Sequence, residues 1–274
     1  MRLLDWLKWH DIDDLDQRDG DLIDLAYRLF HVPIERYFRS EVRGVERIPE
    51  GAALYVGNHN ALLMTPESFL FGFAVYRERG LRDVPFGLGH ELALLLPGVN
   101  QLVVPMGAVR ASHAHALELF RKGRKVLVYP GSEFEAMRSW RDRNRILFGG
   151  RRGYVRLALT AGVPIVPFVA AGAQETLVVL TDGEGIARAL RMDVWLRLKR
   201  WPIALALPWG VLAAPLPFLP WPSRILIEVL RPMRFDRQGP EAAADADYVA
   251  RCAARVEKEM QDCMDRLVAE RARR

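Results

Sequence analysis

Apolar runs of strand length alternate with helix-patterned segments along most of the chain, and no other feature limits the fold as much. Ala52-Ala53-Leu54-Tyr55 with Val56 reads as a buried strand, Lys125-Val126-Leu127-Val128-Tyr129 as a central one, and Val163 to Val169 as a third. Helical spacing covers Asp21 to Phe38, Ser68 to Tyr76 with Pro66 at its first turn, Ser112 to Arg121, Gly153 to Ala161, Glu184 to Arg197 and Glu241 to Glu270. Further strand-like stretches lie at Val42 to Ile48 and Arg224 to Val229, and short apolar runs at Val84 to Phe86 and Leu102 to Pro105. Strands separated by helices predict an α/β domain whose mixed, largely parallel sheet is covered by helices on both faces.

With 274 residues, half of them hydrophobic, the chain can bury one large core. No repeat, low-complexity tract or composition break marks a linker. The expected organisation is an N-terminal helical segment over residues 1–37, one α/β domain over 38–240 and a C-terminal helix over 241–274. The formal charge of +5 is unevenly placed, acidic from Asp11 to Asp24 and dense in Arg and Lys from Arg121 to Arg156. Such a basic block suits phosphates or anionic headgroups, whereas the modest overall charge and lack of a recognition motif argue against nucleic acid. Cys252 and Cys263 are the only cysteines, so neither a disulfide framework nor a zinc pattern is indicated and a reducing, cytoplasmic setting is expected. Met1 to Trp6 is too short an apolar stretch for a signal peptide or span, so export is not expected.

The longest uncharged stretch, Trp201 to Ser223, is long enough to cross a bilayer. Its prolines, Pro202, Pro208, Pro215, Pro217, Pro220 and Pro222, would leave backbone groups unsatisfied in hydrocarbon. It is expected to lie on, or dip into, the inner leaflet of the cell membrane with Trp201, Trp209 and Trp221 at the interface. A proline-rich crossover buried inside the protein is the competing reading.

The run ending at Val56 continues as Gly57-Asn58-His59-Asn60, which puts a histidine at a strand exit, where open α/β sheets keep their chemistry. Glu67, eight residues on, opens the next helix. Imidazole takes a proton near neutral pH when its tautomer and ring are held, and a carboxylate on its second nitrogen does that. His59 and Glu67 are therefore the candidate base and its orienting acid. His10, His31, His90, His113 and His115 lack such a setting and read as structural or surface groups. His113 and His115 alternate without a cysteine or carboxylate cluster, so no metal is expected.

Four blocks in order, Gly57-Asn58-His59, Gly107-Ala108-Val109-Arg110, Val128-Tyr129-Pro130-Gly131-Ser132-Glu133 and Gly162-Val163-Pro164-Ile165-Val166-Pro167, resemble the glycerolipid acyltransferase family that includes lysophosphatidic acid acyltransferases. The resemblance covers roughly Phe38 to Phe235, and its third block looks closer to the branch that acylates neutral lipid hydroxyls. Two departures stand out. Where the family usually has an aspartate five residues after the histidine, this chain has Met64, and Thr65-Pro66-Glu67 looks like a longer-gap variant with glutamate. Where the third block usually ends in an acid followed by Gly-Thr-Arg, this chain has Gly131-Ser132-Glu133-Phe134-Glu135-Ala136-Met137-Arg138.

What the resemblance implies is acyl transfer from a thioester, acyl-CoA or acyl carrier protein, to a lipid hydroxyl such as that of a lysophospholipid. It needs no further cofactor and takes place at a membrane surface. His59 would take the hydroxyl proton, Arg110 would lie near the acceptor and grip a phosphate where one is present, and a backbone N–H in the Gly131 and Ser132 turn would meet the oxyanion. Glu133 and Glu135 would order the acceptor's hydroxyls, or pair with Arg138 and Arg110 to hold the loop, and Arg138, Arg141, Arg143, Arg145, Arg151 and Arg152 would receive phosphates or anionic headgroups or else form a solvated basic surface. A neutral acceptor such as diacylglycerol or a fatty alcohol, a lipid-binding relative without turnover, and thioester hydrolysis are the alternatives.

Overall fold

The computed structural model describes residues 8–273 apart from 63, 196–199 and 213–217. Ten strands are assigned among these residues: β1 (Glu41–Arg43), β2 (Ala53–Gly57), β3 (Phe86–Gly89), β4 (Ala108–Arg110), β5 (Lys125–Val128), β6 (Ile165–Ala171), β7 (Val178–Thr181), β8 (Ile203–Ala206), β9 (Gly210–Leu212) and β10 (Leu226–Val229). Seven form the main sheet in the spatial order β1-β10-β6-β2-β5-β3-β4. From β6 to β4 all neighbours run parallel, whereas β10 is antiparallel to β6 and carries β1 parallel to itself. The mixed, largely parallel α/β sheet expected from the sequence is thus present. Every residue of β2 and β6 is buried, which is why they read as unbroken apolar runs.

The helices are α1 (Gly20–Tyr37), α2 (Pro66–Arg79), α3 (Glu91–Leu94), α4 (Val99–Val103), α5 (His113–Arg121), α6 (Ser132–Ala136), α7 (Gly153–Ala161), α8 (Glu184–Ala189), α9 (Met192–Trp195), α10 (Pro240–Ala244) and α11 (Ala246–Ala272). Side chains alternate across each strand and split the core in two. Leu54 and Val56 of β2 pack with α5, α7, α10 and α11, while Ala53 and Tyr55 pack with Leu70, Phe71 and Ala74 of α2. Each such fully buried large side chain contributes about 1.5–3 kcal/mol relative to exposure. Side-chain caps set the starts of helices α1, α5 and α11, from Asp19, Ser112 and Asp245. No helix among the described residues is long and apolar enough to cross a membrane.

Several element boundaries differ from the pattern. The Val42 to Ile48 strand ends at Arg43, because Gly44 adopts φ 82° and turns the chain into a short 3₁₀ helix. Leu102-Val103 closes α4, and the strand that follows is Ala108–Arg110. The Glu184 to Arg197 helix is broken at Arg191, φ 53°, and its last two residues lie outside the described residues. Asp245, extended, separates α10 from the long C-terminal helix.

The proline-rich segment, described except for 213–217, supplies β8 and β9 of a small sheet. β7, β8 and β9 form a separate antiparallel sheet with two unlike faces. Val179, Ala204 and Leu212 face inward with Phe218 onto Ala61, Leu62 and Met137. The cross-strand row Val178, Leu205 and Val211 lies on the opposite face, where Leu205 and Val211 are exposed together with Leu180 and Trp209. Met1 to Leu7, and with them the N-terminal signal question, lie outside the described residues.

Candidate active site

β2 ends at Gly57, where a Cβ would sit 2.4 Å from Phe168 Cζ and 2.6 Å from Tyr129 Cε1. Only glycine lets the chain turn under these two rings. Asn58 then substitutes for a strand residue: its amide donates to the Ala170 carbonyl at 3.1 Å and its Oδ1 accepts the Ala170 N–H at 2.8 Å. Asn60 donates to the Asn58 carbonyl at 2.8 Å, so the loop bearing His59 is tied on both sides of the histidine. Asn58 and Asn60 are both fully buried, as buried polar groups with complete partners can be.

His59 is about one-fifth exposed, and its Nδ1 lies 3.7 Å from Glu67 Oε1. Glu67 is fully buried at the first turn of α2, where its Oε1 accepts the Asn60 N–H at 3.0 Å. Among the described residues, neither His59 Nδ1 nor Glu67 Oε2 has a hydrogen-bond partner. A contraction of under an ångström would bring Nδ1 and Oε1 within hydrogen-bond distance, and catalytic hydrogen bonds are commonly long before substrate is bound. The His59 ring stacks at a tilt against Tyr129, centroids 4.9 Å apart, and the Tyr129 hydroxyl meets Ser68 Oγ at 2.7 Å. Burial pushes that hydroxyl well above its usual range, so it serves as a neutral wall and hydrogen-bonding group.

Beneath the histidine lies a second acid. Glu135 Oε2 accepts the His59 N–H at 2.8 Å and Oε1 the Leu147 N–H at 3.1 Å. Burial holds its carboxyl above the usual range against the pull of Arg138 and these two amides. Arg138, also fully buried, donates to the His59 carbonyl at 2.6 Å, the Glu135 carbonyl at 2.7 Å, Asn60 Oδ1 at 2.5 Å and the Arg143 carbonyl at 3.0 Å. Gln174 closes the frame, accepting the Ala61 N–H at 3.0 Å and donating to the Arg138 carbonyl at 3.1 Å. Gly131 must be glycine by crowding, since a Cβ there would lie 2.4 Å from Glu135 Cβ and 2.7 Å from the Leu147 carbonyl oxygen.

Four non-glycine residues near His59, Ala61, Leu62, Thr65 and Ser132, have φ between 33° and 54°. Left-handed backbone at such residues costs about 1–3 kcal/mol each and persists where surrounding contacts enforce it, which is typical of working sites.

The structure brings together His59, Glu67, Glu135 and Arg138, with the Gly131 turn against Glu135. Glu135 takes the second of its two expected parts, beside Arg138 in holding the loop, whereas Arg138 is buried rather than presented to phosphates. Glu135 and Arg138 hold the histidine loop from inside, buried beyond the reach of phosphates or acceptor hydroxyls. Glu133 pairs with Arg151 at 2.6 Å, and although burial opposes it, that bond keeps its carboxyl below the usual range. Ser132 N–H donates to the Tyr129 carbonyl at 3.0 Å. Arg110 pairs with Asp13, apart from Glu133 and Glu135. The basic block is partly self-neutralised: Arg143 lies 3.6 Å from Glu175 and over the Trp140 ring, and Arg151 covers Phe134. Asn58, Asn60 and Gln174 were not anticipated. Two amides flanking a histidine at an apolar strand's exit were the available signal, whereas Gln174 is far away in sequence and had none.

The model of the family described as Acyltransferase matches residues 39–171, a span that holds His59, Glu67, Glu135 and Arg138 but not Gln174. An uncharacterized protein of Mycobacterium tuberculosis is 30% identical over 237 residues, 86% of this chain and 63% of its own length, so the chain spans less than two thirds of that relative. A Mus musculus protein named DGAT1/2-independent enzyme synthesizing storage lipids is 32% identical over 127 residues, 46% of this chain and 37% of its own. The crystal structure of the 1-acyl-sn-glycerophosphate (LPA) acyltransferase PlsC from Thermotoga maritima superposes with a TM-score of 0.50 at 17% identity, covering 90% of this chain and 83% of that one, a likeness of fold. The stretch that matches the Acyltransferase family thus contains the histidine loop, and the chain shares its fold with PlsC.

Proposed function

We propose that the protein transfers an acyl group from a thioester, acyl-CoA or acyl carrier protein, to the hydroxyl of a lipid, with His59 as general base. The observation that carries this reading is His59 Nδ1 facing the buried Glu67 carboxylate at 3.7 Å, which leaves Nε2 to take the proton. The acceptor oxygen attacks the thioester carbonyl as its proton passes to Nε2. The tetrahedral intermediate collapses with cleavage of the C–S bond, and the thiolate departs and is protonated. No covalent acyl-enzyme is needed. Because the Ser132 N–H already serves the Tyr129 carbonyl, the oxyanion donor in this turn would be the Gly131 N–H. The name of the mouse relative, an enzyme synthesizing storage lipids, agrees with a lipid acceptor.

The same reading puts the protein on a membrane surface, from which a lipid hydroxyl has to be taken. Its support is the exposed row Leu180, Leu205, Trp209 and Val211 on a sheet whose other face packs on Ala61 and Leu62 of the histidine loop. Val211→Asp should reduce sedimentation with liposomes, and unchanged sedimentation would remove this face from consideration. The activity itself is tested by mass spectrometry of lipids after incubation with acyl-CoA and a panel of lysophosphatidic acid, monoacylglycerol, diacylglycerol and fatty alcohol. An acylated product absent from His59→Ala is expected. Lipid that copurifies without any product, in both proteins, would instead favour a binding role.

A further inference from the structure

The segment from His10 to Asp19 is strapped across the end of the main sheet. Fully buried Asn100 accepts the His10 N–H at 2.8 Å and donates to the His10 carbonyl at 3.0 Å. Ile12 is buried with Leu94 and Val104, and its carbonyl accepts the Arg110 N–H at 2.9 Å. The Asp19 N–H donates to the Pro105 carbonyl at 2.8 Å. Between these anchors Asp13 engages the Arg110 side chain with both carboxylate oxygens, Nε to Oδ1 at 2.7 Å and Nη2 to Oδ2. Glu91 lies 3.7 Å from the remaining Arg110 nitrogen, and His115 Nε2 lies 3.6 Å from Asp13 Oδ1. An exposed ion pair is usually weak because two free side chains must be held, but here the backbone carrying one partner is fastened at three points.

Sheet register relates this cluster to the histidine. Arg110 is opposite Gly89, Gly87 is opposite Leu127, and Leu127 is opposite Tyr55. Arg110 is therefore level with Gly57, two residues before His59, and three strand spacings away, about 14 Å. Both stand at the carboxyl edge of parallel strands, the edge from which the two side chains approach an acceptor in the acyl-transfer reading.

We infer that Asp13 is a specificity-determining residue: by occupying Arg110 it closes this arm of the site to anionic headgroups and selects an uncharged acceptor, a glyceride or long-chain alcohol. The inference rests on the acyl-transfer reading above. A phosphate arriving at Arg110 must displace a bidentate carboxylate and then remain beside it and Glu91, two carboxylates against one guanidinium. An uncharged hydroxyl compound meets no such repulsion. Asp13 acts through Arg110 and has no part in the bond-making step.

The test compares monoacylglycerol with lysophosphatidic acid on wild type, Asp13→Asn, Glu91→Gln and Asp13→Asn with Arg110→Gln. Wild type should favour monoacylglycerol. Asp13→Asn should raise the lysophosphatidic acid to monoacylglycerol ratio of kcat/KM at least about tenfold, through KM for the phosphate acceptor, with a smaller rise in Glu91→Gln. The gain should vanish when Arg110 is also replaced. The same ratio is measured as equilibrium binding on a His59→Ala background, which reports on Asp13 even where no acyl transfer occurs. A wild type that prefers lysophosphatidic acid, or an Asp13→Asn protein that binds it less well, would overturn the inference by making Asp13 a support for a phosphate-gripping Arg110. Thermal melting separates either outcome from a folding defect, and Glu91→Gln retains the test if Asp13→Asn does not fold.

Discussion

Replacing Arg138 by methionine separates a structural guanidinium from one that binds phosphate. The side chain is buried, and it supplies hydrogen bonds to the His59 carbonyl, the Glu135 carbonyl, Asn60 Oδ1 and the Arg143 carbonyl. Methionine retains much of the volume but leaves these oxygens without that donor and the buried Glu135 without its nearby cation. Breaking such a buried charged arrangement on one side costs about 3–5 kcal/mol. For a domain of this size that corresponds to a fall in melting temperature of roughly 10 °C. Because the lost bonds hold the His59 backbone and the Asn60 side chain, kcat should drop while KM for acyl-CoA changes little. Differential scanning fluorimetry with steady-state kinetics reads both quantities. An unchanged melting temperature together with a raised KM for acyl-CoA would refute the reasoning and restore Arg138 to the phosphate-binding role that the sequence suggested.

Three further outcomes follow from particular contacts. Gly131→Ala drives a Cβ to within 2.4 Å of Glu135 Cβ and 2.7 Å of the Leu147 carbonyl, so it should destabilise the protein by about 1–3 kcal/mol and reduce turnover, as denaturant melts and kinetics would record. Glu67→Gln keeps an acceptor for the Asn60 N–H but loses the carboxylate facing His59; kcat should fall at least about tenfold with melting temperature nearly unchanged. Glu175 is bidentate with Arg271 at 2.8 and 2.7 Å, and although burial opposes it, these bonds hold its carboxyl below the usual range. Its depressed folded value means the contribution is present above the unfolded pKa near 4.3 and is lost as pH falls below it. The melting temperature of Glu175→Gln should therefore fall less steeply than that of wild type below about pH 4.5, and parallel curves would count against the pair.

The sequence made the sheet legible because its central strands are buried on both sides. Such strands appear as continuous apolar runs, and β2, β5 and β6 fall within a few residues of their expected limits. The small sheet was not legible, since its strands are short, its inward residues include Ala204 and Ala206, and the prolines dominate the pattern. His59 and Glu67 were found because they lie eight residues apart on consecutive elements. The burial of Arg138 beneath them was not legible, for the opposite reason. An arginine in a basic run reads as a ligand for phosphate, yet Arg138 is turned inward by backbone carbonyls that only the folded loop presents. Asp13 and Arg110 are 97 positions apart, and nothing in either segment shows that the strap brings them together.

The decisive quantity is the rate of free thiol release from acyl-CoA, with and without a lipid acceptor, for wild type and His59→Ala. The expected result is acceptor-dependent release that falls by about a hundred- to ten-thousand-fold in the variant, with an unchanged melting temperature. Release that ignores the acceptor, or that survives in His59→Ala, would contradict a histidine-assisted transfer to a lipid hydroxyl.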